Sequence, residues 1–259
     1  MKLHIVPART GWVWLKAGLR TFWSQPLALS GLFFMFMTVM SLSSLLPYIG
    51  NALALALLPA ATLGLMAATR EAASGKFPMP TILLSAFRAG REQARAMGVL
   101  GALYALGFLA VLGASALVDG GSFARLYLVG GTMTTEMVQS GQFQTAMWLA
   151  MGLYLPLSMM FWHAPALVHW HGVSPVKSLF FSLVACCRNF GAMTVYTLAW
   201  MGLFVGVGML LLLLTALLGQ AELINVMFFP AAMLMAAMFF SSIYFTFRDS
   251  FVADDAPAA

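Results

Sequence analysis

The chain has 259 residues, 62% of them hydrophobic and only 8% charged, and its mean hydropathy is +0.91. A soluble domain carries about 25% charged side chains, and a chain with a third of that content has too few polar groups to cover its surface. The net charge of +5 therefore suits an anionic membrane surface rather than nucleic acid, because the 13 Lys and Arg flank apolar runs.

The first apolar run begins at Pro26 and exceeds the length of a cleavable signal core, so it is expected to remain as a signal anchor. Spans need about 20 apolar residues. They are predicted at Pro26–Leu46, Asn51–Thr69, Ala96–Val118, Ala146–Val168, Phe190–Leu218 and Leu223–Phe247. Pro47-Tyr48-Ile49-Gly50 turns the first span into the second, and Gly219-Gln220 separates the fifth from the sixth. Stretches between the runs are too short to fold as soluble domains. The predicted fold class is an all-α polytopic membrane protein with six transmembrane helices.

Twelve of the basic residues, from Lys2 to Arg248, fall on one side of these spans, and only Arg125 falls on the other. The positive-inside rule then predicts that both termini are cytoplasmic. The longest outer connection, Asp119 to Thr145, holds two Gly-Gly pairs around Leu126-Tyr127-Leu128-Val129. That apolar patch is expected to rest on the outer interface or pack on the spans.

Amphipathic segments precede the odd-numbered spans. In Trp12–Gln25, Lys16 and Arg20 lie four apart, with Trp12, Leu15, Leu19, Phe22 and Trp23 as an apolar side. In Pro80–Arg95, the residues Arg88, Arg91 and Arg95 form one helical stripe. Ser174–Asn189 opens with Ser-Pro, a helix-start signal, and carries Lys177 and Arg188. All three are expected in the cytoplasmic interface. Pro59, Pro156, Pro165 and Pro230 all lie in even-numbered spans. The predicted unit is thus an interfacial helix, a straight span, an outer turn and a proline-bearing span. It covers 8–69, 80–168 and 174–247, with 249–259 as a flexible tail. Such units repeat in parallel, unlike the inverted repeats of many secondary transporters.

Small residues at Ala94, Gly98 and Ala102, and at Gly202 and Gly206, allow close helix approach. Internal packing and a homo-oligomeric seam are both open for them. Arg88, Arg91 and Arg95 are candidates to hold an anionic phospholipid headgroup, worth about 1 kcal/mol per basic residue; setting topology alone is the alternative.

No Asp, Glu, Lys or Arg falls inside a predicted span, which argues against ion-coupled transport. His163, His169 and His171 cluster at the cytoplasmic end of the fourth span, where alternating Trp and His fits an interfacial belt. A metal or proton site is the alternative, although His169 and His171 are two apart and point to different sides of a helix. Cys186 and Cys187 are adjacent and offer neither a disulfide framework nor a metal spacing. Nucleophile elbows, zinc-protease pairs and phosphate loops are missing from the sequence. No enzyme activity, cofactor or metal is expected.

Gln25-Pro26-Leu27-Ala28-Leu29-Ser30-Gly31-Leu32-Phe33-Phe34-Met35, Leu57-Leu58-Pro59-Ala60-Ala61-Thr62-Leu63-Gly64 and Phe161-Trp162-His163-Ala164-Pro165-Ala166 carry a resemblance. In them the chain resembles an uncharacterised family of small bacterial six-span inner-membrane proteins. More distantly it is similar to the membrane domain attached to glycerophosphodiester phosphodiesterases, without room for their soluble catalytic domain. The resemblance implies a bacterial inner-membrane protein in lipid handling, envelope homeostasis or support of a membrane complex. Its expected partners are membrane lipids, with a second copy or another membrane protein left open. The alternative is a carrier or channel for a small or amphipathic solute.

Overall fold

The computed structural model describes residues 2–47, 49–220 and 222–252. A short strand β1 (Lys2–Leu3) precedes α1 (Thr10–Ser24), α2 (Pro26–Ser44) and α3 (Gly50–Ala73). A 3-10 turn (Pro80–Leu84) and a single helical turn, α4 (Ser85–Arg88), lead into α5 (Arg91–Asp119). Two short helices follow, α6 (Ser122–Leu128) and α7 (Thr135–Gln139). Then come α8 (Gly141–Trp162), α9 (Ala164–His171) and α10 (Pro175–Arg188). The chain closes with α11 (Phe190–Leu217), α12 (Leu223–Ser250) and strand β2 (Phe251–Val252). Six segments are long and apolar enough to span a bilayer: α2, α3, α5, the α8–α9 pair, α11 and α12. The protein is a polytopic all-α membrane protein. On α11 only 6% of the apolar window is buried, so most of that helix needs a lipid-like surrounding.

The chain forms two compact units, one of Met1–Met37, Thr62–Ser85 and Val184–Ala259, the other of Thr38–Ala61 and Ala86–Leu183. In the first, α1 is wedged against α11 and α12. A methyl group on Gly11 would lie 2.2 Å from the Ala192 carbonyl oxygen, and one on Gly18 would lie 2.3 Å from Ser242 Cβ. Glycine is required at both because backbones meet there. Trp14 is fully buried and donates from Nε1 to Asp249 Oδ2 at 3.0 Å. Beside it, Ser242 Oγ accepts from Trp200 Nε1 at 3.1 Å, lies 2.6 Å from the Tyr196 hydroxyl, and donates to the Phe239 carbonyl. These bonds satisfy polar atoms that would otherwise be costly to bury.

The same unit brings the first and last described strands together. β1 pairs antiparallel with β2, Lys2 opposite Val252 and Leu3 opposite Phe251. Asn189 is buried behind the pair; its Oδ1 accepts from the Val6 N–H at 2.8 Å, while its Nδ2 donates to the His4 carbonyl and Ser250 Oγ. In the second unit, α5 meets α3 at Gly101, where an added methyl would lie 2.0 Å from the Ala56 carbonyl oxygen. The α2–α3 turn is equally tight, since a methyl on Gly50 would lie 2.6 Å from the carbonyls of Ser43 and Ser44.

Five expectations change. Arg88, Arg91 and Arg95 do not share one helical stripe: α4 ends at Arg88, and Gly90 at φ +114° separates it from α5. A positive φ of that size interrupts a helix and suits only glycine. The fourth span is broken at His163, and Pro165 falls in the first turn of α9, where its missing N–H costs nothing. On α1, Trp14 joins Leu15 and Phe22 in the core while Trp12 and Trp23 stay exposed. A methyl on Gly98, Gly202 or Gly206 would meet nothing within 4 Å, so these glycines make no close helix contact among the described residues. Finally, residues 249–252, expected in the tail, complete α12 and form β2, with Phe251 buried; residues 253–259 lie outside the described residues.

Candidate apolar groove between α5, α6 and α8

The connection expected to cover 119–145 folds back onto the helices that it joins. Gly120 and Gly121, at φ +66° and +91°, reverse the chain after α5. Asp119 holds the reversal: Oδ1 accepts from the Gly121 N–H at 2.9 Å and Oδ2 from the Phe123 N–H at 2.7 Å. These are donors left open at the start of α6, and a carboxylate there is favoured by the helix dipole. At the other end of α6 the Asn51 side-chain amide donates to the Leu128 carbonyl.

So fixed, α6 turns Phe123 and Tyr127, four residues apart, toward α5 and α8. Phe123 packs edge-on against Phe143 with centroids 5.9 Å apart, and Tyr127 does so against Phe108 at 6.2 Å. A cavity of about 210 Å³ opens beneath them, walled by Phe108, Val111 and Leu112 of α5 and by Ala150, Met151 and Tyr154 of α8. No charged side chain lines it. Tyr127 and Tyr154 are the lining residues that carry a hydroxyl, and that of Tyr154 lies 3.4 Å from the Tyr104 hydroxyl.

Volume limits what this space can take. It exceeds the roughly 150 Å³ apolar cavity that admits a benzene ring, yet falls short of the ~300 Å³ at which sites for drug-sized ligands begin. A segment of hydrocarbon chain fits both limits. A second cavity, of about 250 Å³ and lined by apolar side chains, lies between α11 and α12 against Phe204, Gly208, Leu211, Phe228 and Met235.

The residues singled out in the sequence lie elsewhere. Arg88, Arg91 and Arg95 are all exposed, and only Arg91 and Arg95 share a helix. His163 is buried at the α8–α9 break, where its backbone N–H donates to Ser182 Oγ at 2.9 Å and Ser182 donates on to the Met159 carbonyl. His169 and His171 are half-buried at the end of α9. Among the described residues no three His, Cys, Asp or Glu side chains come together as a metal-ligand set. In the 119–145 connection the anchors are Phe123 and Ala124, whereas Tyr127 and Val129 of the expected patch are 62% and 82% exposed. Asp119-Gly-Gly-Ser followed by aromatics four apart was the signal for α6 that the apolar patch obscured.

The chain is 42% identical over 254 residues to a protein of Burkholderia thailandensis described as a probable inner membrane protein, covering 97% of this chain and 94% of that one. It belongs to that inner-membrane family. Inner-membrane residence and multi-pass architecture thus agree with the six apolar segments. No family model matches the chain, and no solved structure matches it.

Proposed function

We propose that this inner-membrane protein is non-enzymatic and handles lipid, seating part of an acyl chain in the groove between α5, α6 and α8. The supporting observation is the groove's lining: aromatic and aliphatic walls, no charge, and a volume suited to a chain segment. With both termini cytoplasmic, as the distribution of Lys and Arg favours, the groove lies toward the outer leaflet. A carrier of a small solute would call for more polar atoms than the tyrosine hydroxyls that this groove offers.

Acyl chains gain little from leaving lipid for an apolar groove, since both are hydrocarbon-like; selectivity must come from packing against the rings. Met151 is 54% exposed at the groove's edge, so Met151→Trp fills the space without invading the core. Lipid co-purifying with the protein should fall roughly fivefold, the equivalent of about 1 kcal/mol of lost ring contacts. Unchanged lipid content by mass spectrometry would remove the reading.

A further inference from the structure

Helix α1 presents aromatic side chains on two opposite faces, and among the described residues only one of them is buried. Gly11, Trp14, Leu15, Gly18, Thr21 and Phe22 are buried against α11 and α12. Trp12, Lys16, Arg20 and Trp23 fall within about 80° of arc on the other side, at 100° per residue. Trp12 is 47% exposed and Trp23 61%, and both basic residues are exposed. No acidic residue occurs anywhere on this helix. Lys16 Nζ lies 5.4 Å from the centre of the Trp12 ring, a cation–π contact that holds the ammonium beside the indole.

We infer that this face is a binding site for the headgroups of anionic phospholipid in the cytoplasmic leaflet, distinct from the groove and independent of it. Three features favour that occupant. Two tryptophans about 16 Å apart bracket two cations, the combination that suits the boundary between headgroups and acyl chains. Trp23 stands three residues before Pro26, the first residue of an apolar span, which places that end of α1 beside the membrane. The helix is also fixed in advance, because the close backbone contacts at Gly11 and Gly18 hold it against α11 and α12. A free amphipathic segment must order itself on binding; α1 avoids that cost.

The test uses the full-length protein in phosphatidylcholine vesicles. A minor fraction of the lipid is brominated phosphatidylglycerol or, at equal mole fraction, brominated phosphatidylcholine. Quenching of tryptophan fluorescence should be greater with the anionic quencher, corresponding to a local enrichment of about fivefold, the worth of one juxtamembrane basic residue. Lys16→Gln with Arg20→Gln should equalise the two quenchers, whereas Lys16→Arg with Arg20→Lys should keep the difference. Trp12→Phe with Trp23→Phe should abolish the excess, because the reporters are gone. Equal quenching in the unsubstituted protein, or an excess surviving in either the glutamine or the phenylalanine pair, would overturn the inference.

Discussion

Gly101 and Gly206 both sit on long apolar helices, yet a methyl group would meet opposite surroundings at the two positions. At Gly101 it would strike the Ala56 carbonyl; at Gly206 it would enter open space. Gly101→Ala should therefore lower the thermal midpoint of the purified protein by an amount equivalent to about 1–3 kcal/mol of overpacking. Gly206→Ala should leave it unchanged or raise it, since alanine favours helix by up to about 1 kcal/mol. Thermal unfolding in one detergent separates the two outcomes. Spacing in the sequence drew attention to Gly98, Gly202 and Gly206, whereas Gly11, Gly18 and Gly101 are where backbones touch. A glycine's neighbour across a contact belongs to a distant stretch of chain, so spacing along its own helix does not reveal it.

Among the elements, α6 depends most on one side chain. Asp119 satisfies two N–H groups at its start, and Asp119→Ala should cost about 1 kcal/mol, the usual worth of such a cap. Amide exchange over 122–128 should rise while that of α5 stays slow, and co-purifying lipid should fall with it. Exchange unaltered at Phe123 would mean that the aromatic contacts and the Asn51–Leu128 bond hold α6 in place without Asp119. The long helices were legible because their apolar runs match the bilayer thickness. Shorter elements were less so. The arginine stripe assumed a helix through Gly90, whose φ of +114° breaks it, and the apolar side drawn for α1 merged two faces with different destinations. Helical periodicity identifies an apolar side but does not say whether protein or lipid will cover it.

For the whole molecule, the proposed orientation with both termini cytoplasmic rests on charge and can be tested chemically at α10. Cys187 is exposed, whereas burial, with Cys187 adding to the effect, pushes the Cys186 thiol up to about 12. Cys186 should stay protonated and slow to react well above the ordinary thiol range. A membrane-impermeant maleimide should then modify Cys187 in inside-out vesicles and leave intact spheroplasts unlabelled, with Cys187→Ser removing the signal. Labelling from the outer face would reverse the topology. Six spans were readable from hydropathy; the meeting of β1 with β2 was not, because it pairs residues as many as 250 positions apart, Lys2 with Val252. No local pattern in Lys2–Val6 or Asp249–Val252 announces the other. Asn189, which closes the contact, reads in sequence only as the residue after a helix.

The pairing of β1 with β2 brings the first and last described elements of the chain together. Its first strand lies beside its last, Lys2 opposite Val252 and Leu3 opposite Phe251. A chain joined between β2 and β1 and reopened at the exposed Gly75 turn would therefore contain the same helices in the same cyclic order.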